Sequence, residues 1–131
     1  MRLPQSLVVR LSPLVEAARG WPLVEPAIEI TPPGQVPITL RSAHGEFVFD
    51  PEKRSVSRDG VEVAPFAAIQ SIDVGAFPGG RGERSWSITL YLGFLRRVTL
   101  GRTYDDGDAS VIAARLARAT GAKVVATTLL R

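Results

Sequence analysis

The chain has no cysteine, which excludes disulfides, thiolate metal centres and cysteine nucleophiles. Its only histidine is His44, so a site needing two imidazoles cannot be built. Lysine is scarce as well: every basic residue other than Lys53 and Lys123 is arginine. No stretch approaches the ~20 consecutive apolar residues of a membrane-spanning helix. In the N-terminal run MRLPQSLVVRLSPLVEAARG, Arg10 and Glu16 interrupt the apolar core that an export signal requires. These absences lead to the expectation of a cytoplasmic chain.

What the chain does contain suits a single folded domain. It has 131 residues, 45% hydrophobic and 22% charged, close to the soluble globular average. The formal charge is +3, with sixteen basic side chains against thirteen acidic ones, too balanced for a strong nucleic-acid footprint. A nucleic-acid surface would have to be built from Arg54, Arg58, Arg81, Arg84, Arg96, Arg97 and Arg102 with Trp86, Tyr91 and Tyr104. Trp86, however, shares the phase of Ile88 and Leu90, which points it at the core instead of at bases. Nucleic acid is therefore not an expected partner.

Proline divides the chain. Pro4, Pro13, Pro22, Pro26, Pro32, Pro33 and Pro37 punctuate residues 1–37 and break any long element, setting off residues 1–35 as an N-terminal segment. Within this N-terminal segment, Ser12 before Pro13 and a closing Gly20 predict a short helix over PLVEAAR, with LVVRL and AIEIT as candidate strands. Residues 36–131 read as the main domain. VPITLRS stops at His44-Gly45, EFVFD stops at Asp50-Pro51, and RSVSR meets VEVA across Asp59-Gly60, a pair suited to a two-residue hairpin turn. PFAAIQSIDVG predicts one helical turn leading into a strand. In SWSITLYLG, Trp86, Ile88, Leu90 and Leu92 alternate with Ser85, Ser87, Thr89 and Tyr91, and RRVTLGRT pairs back onto it through GFL. DDGDASVIAARLARATG predicts an amphipathic helix. Asp106 or Asp108 would cap it, Val111, Ile112, Leu116 and Ala119 would form its apolar stripe, Arg115 and Arg118 would face solvent, and Gly121 would end it. AKVVATTLL fits either a last strand or a packed tail.

About seven short strands followed by one amphipathic helix is the order of a small open barrel plugged by its C-terminal helix. In FVFDPEKRSVSRDGVEVAPFAAIQSIDV, SWSITLYLGFLRRVTLGRTY and ASVIAARLARATG the chain resembles the bacterial pleckstrin-homology-like (PH-like) domains, over roughly residues 44–121. The resemblance implies a mainly β (α+β) fold and a non-enzymatic module for binding or assembly, with a protein partner or self-association and no cofactor. Many members of that family carry membrane-spanning helices, and this chain has none. Peripheral membrane contact is compatible with the composition.

Candidate chemistry is sparse. FPGGRGERSW has the glycines of a phosphate loop, but Trp86 starts an alternating strand where such a loop would start a helix, and the lysine is missing. Arg81, Arg84 and Arg102 return to one end of a hairpin and form a candidate anion or lipid-headgroup site, with Asp105 and Asp106 placed to neutralise them. Arg96 and Arg97 lie at the other end, roughly 25 Å away at ~3.3 Å per residue. DDGD lacks the alternate spacing and final glutamate of a calcium loop, so no metal site is expected. His44, with Glu46 or Asp50 nearby, is the one candidate general base for a small enzyme.

Overall fold

The computed structural model describes residues 24–78 and 84–128. The turn signals of the sequence divide these residues into strands that pair mostly with their neighbours. β1 (Glu29–Ile30), β2 (Ile38–Ser42), β3 (Gly45–Asp50), β4 (Ser55–Arg58) and β5 (Val61–Pro65) form one five-stranded antiparallel sheet in sequence order. A 3-10 turn, Phe66–Ala68, carries the chain into the second sheet. There β6 (Ser71–Pro78), β7 (Arg84–Gly93) and β8 (Arg96–Thr103) pair antiparallel. Helix α1 (Asp106–Thr120) follows, and β9 (Lys123–Thr128) returns parallel to β6, giving the order β8-β7-β6-β9. Residues 123–128 thus form a strand, the first of the two alternatives open in the sequence.

Two sheets take the place of the expected single barrel. The physical reason lies at β8, whose outer side meets the first sheet through isolated bonds and not through a ladder. Ile28 N–H donates to Arg102 O at 2.9 Å, and the Ser42 hydroxyl donates to Leu100 O. Gly101 permits this approach: with φ at +153°, a Cβ there would stand 2.6 Å from both Ile28 Cγ1 and Ser42 Cβ.

Leu40, Phe47, Phe49 and Val56 from the first sheet share one core with Ile72, Ile88, Leu90 and Leu100 from the second and with Ile112 and Leu116 from the helix. Burial of such side chains contributes ~1.5–3 kcal/mol each. The core also takes Ile28, and β1 pairs Ile30 with Leu40, so the packed unit begins within the segment assigned to residues 1–35. The expected helix over PLVEAAR and the strand LVVRL lie outside the described residues.

The Asp59-Gly60 turn forms as expected, with φ of 52° and 88° between the paired Arg58 and Val61. The helix differs in detail from its sequence reading. Its N-cap is Asp105, whose carboxylate accepts from Asp108 N–H at 3.0 Å. Asp106 and Asp108 lie inside the first turn, where negative charge suits the helix dipole. The buried face is Ala109, Ile112, Ala113 and Leu116. Val111 is 56% exposed, because one helical step of ~100° carries it off the Ile112 face. Arg115 does not face open solvent; it donates to Thr31 O at 2.5 Å and Pro32 O at 3.2 Å, tying the helix to the link between β1 and β2. Gly121, with φ at 83°, ends the helix.

Candidate functional site

Arg102 stands on β8 opposite Ser87, and the structure gives its guanidinium three neighbours. Nη1 donates to Ser85 Oγ at 2.9 Å, the plane lies 5.3 Å from the Phe77 ring centroid, and Nε is 3.7 Å from Glu25 Oε1. These contacts bury Ser85, which alternation had placed on the outer face, while Trp86 is half-buried. Arg84 is exposed at the start of β7. Arg81 lies outside the described residues, so the structure brings Arg84 and Arg102 to one end of the sheet and does not place the third arginine.

The carboxylate that answers Arg102 is Glu25 and neither Asp105 nor Asp106. Glu25 is held in turn by Tyr104, whose hydroxyl donates to Glu25 O at 2.7 Å. On its other side, His44 Nε2 is 3.5 Å from Glu25 Oε2, an oxygen that is buried and accepts no hydrogen bond from the described residues. The carboxylates expected beside His44 have other roles. Glu46 pairs with Arg41 Nε at 3.1 Å, and Asp50 Oδ1 accepts from the amides of Glu52 and Lys53 at 2.9 and 3.3 Å. Sequence reasoning missed Glu25 because it lies in the proline-broken segment, and nothing in its spacing marks it as a partner of residues so far along the chain. Side chains here keep 27% to 37% of their surface exposed, so the Arg102–Glu25 ion pair contributes only ~0–1 kcal/mol. The effect of the cluster is to hold residues 25–28 against β8. Among the described residues no group of three or more His, Asp or Glu side chains could hold a metal ion, and no helix is long and apolar enough to cross a membrane.

The sheet edges differ more than the charged groups do. An open edge presents unpaired N–H and C=O groups, and folded chains commonly blunt it with charge, proline, a bulge, shortness or a cover. β1 is two residues long. β5 carries Glu62 and Pro65, and its pairing with β4 shifts at Val56/Ser57. β8 is covered by Ile28 and Ser42. Among the described residues β9 has only the charge of Lys123 at its start. Its six residues, KVVATT, pair with β6 without interruption from Ser71↔Lys123 to Ala76↔Thr128, and its only charge is at the first position. Among the described residues no strand pairs with its outer side.

Comparison of the chain with family models, with curated proteins and with solved structures finds no match.

Proposed function

We propose that the chain is a non-enzymatic assembly module of the PH-like type that pairs with a second copy of itself along the outer edge of β9. Seven strands, β2 to β8, antiparallel to their paired neighbours within each of two sheets and followed by one helix, support the PH-like reading. The observation that carries the assembly reading is the unprotected β9 edge, where every second residue directs both its N–H and its C=O outward.

A second copy suits this edge. Antiparallel β9–β9 pairing is two-fold symmetric, so one surface serves both chains. The two-fold falls at a residue pair, Val125 with Val125 or Ala126 with Ala126, and in either register one Lys123 never stands opposite the other, which keeps like charges from facing one another. Val124, 43% exposed, and the exposed Ala126 and Thr127 are small or β-branched and favour extended pairing. The two four-stranded sheets become one continuous sheet.

The test is sedimentation equilibrium of the full chain with Val124→Pro and Val125→Pro as separate variants. By alternation one of these prolines removes an outward N–H and leaves the β6 ladder intact. The wild type is expected to be a dimer that dissociates on dilution, and the outward-facing proline variant a folded monomer. A wild type that is monomeric at every concentration overturns the proposal.

A further inference from the structure

The hairpin from β7 to β8 turns on Phe94 and Leu95, which are 98% and 87% exposed. Both hold left-handed φ values, 51° and 63°, a region that bulky L side chains avoid. A turn of this shape ordinarily uses residues such as Asn-Gly or Asp-Gly, as at Asp59-Gly60. Here a strained backbone holds up two large apolar side chains that contribute nothing to the core. Strain of this kind persists where a function uses it.

The charges on β7, β8 and the turn between them share one sign. Arg96 and Arg97 follow the turn directly and are exposed, and residues 84–103 contain no Asp or Glu. Across the sheet, Arg97 stands opposite Tyr91, Tyr91 opposite Ser71, and Ser71 opposite Lys123. That row bears two cations with a half-buried tyrosine between them, and tyrosine favours the level of lipid headgroups. The nearest acid on these strands, Asp73, accepts from the Ser71 hydroxyl at 2.6 Å.

We propose that the Phe94-Leu95 apex enters an anionic lipid surface, with Arg96 and Arg97 meeting the phosphates. A protein pocket for two apolar side chains has no need of a collar of one sign, whereas an anionic bilayer matches both parts: apolar tip to acyl chains, cations to headgroups. With two inserted side chains the contact is weak and reversible; it is separate from the Arg102 end of the hairpin and meets β9 only at Lys123.

The experiment is flotation of the full chain with phosphatidylcholine vesicles, with and without about one-third phosphatidylglycerol. Binding is expected only with the anionic lipid, falling as salt rises. F94A/L95A is expected to weaken it about a hundredfold, about tenfold for each side chain. Phe94→Asn with Leu95→Gly relieves the turn, so it is expected to raise the melting temperature while abolishing binding; a merely structural apex would not separate the two. Since the chain has no other cysteine, Leu95→Cys carries a single environment-sensitive fluorophore, whose emission is expected to shift to the blue on the anionic vesicles. No vesicle binding by the wild type at low salt, binding by F94A/L95A equal to wild type, or an unshifted label overturns the proposal. So does a protein captured by the apex in the absence of vesicle binding.

Discussion

The β5 and β9 edges close different sheets of the same small domain, and among the described residues only β5 is defended along its length. β5 combines Glu62, Pro65 and a shifted register in five residues. β9 offers six regularly paired residues with a single terminal charge. An edge that is not blunted is a template for another strand, so the contrast locates where the molecule accepts a partner. β8 supplies the third case, an edge closed by its own chain through Ile28, Ser42 and the close approach at Gly101.

Opening the closed edge is expected to have the largest effect. Gly101→Val sets a branched side chain against Ile28 and Ser42 at a position with positive φ. The loss is about 3 kcal/mol, read as a shifted denaturant midpoint. Closing the open edge comes next. Ala126→Glu with Thr127→Glu gives β9 the kind of charge that β5 carries, and is expected to raise the dimer dissociation constant about tenfold to a hundredfold. Because both residues are exposed, stability of the monomer changes by only about 0.5 kcal/mol. Asp105→Ala removes the N-cap of the helix that leads into β9 and costs about 1 kcal/mol in thermal unfolding, with dimerisation retained. Glu25→Gln loosens the segment that covers β8. Its partners are about one-third exposed, so screening holds the loss below about 1 kcal/mol, and the fall shrinks at high salt.

Much of this arrangement is legible in the residues. Alternation and turn chemistry place β2 to β8, because a strand with one buried face writes period two into its sequence and Asp59-Gly60 writes its own turn. The helix and its Gly121 stop are legible for the same reason. The departures arise where distant residues decide. Val111 and Arg115 are assigned faces by the exact phase of the helix against β6 and the β1–β2 link, which spacing alone does not set. Asp105, rather than Asp106 or Asp108, becomes the cap because the helix starts at Asp106, one residue into the acidic run. Pairing of Glu25 with Arg102 and His44 depends on a chain crossing that leaves no local mark. Separation into two sheets follows from the sparse bonding between β8 and residues 28–42, again a tertiary outcome. β9 is ambiguous in sequence because AKVVATTLL has the apolar content of a strand without clear alternation.

The most direct measurement is the molar mass of the full chain by sedimentation equilibrium over a dilution series, beside Ala126→Glu with Thr127→Glu. The account predicts a wild-type dimer that dissociates on dilution and a variant that is folded and monomeric at concentrations where the wild type is paired. A wild type that stays monomeric throughout, or a variant that dimerises with unchanged affinity, contradicts it.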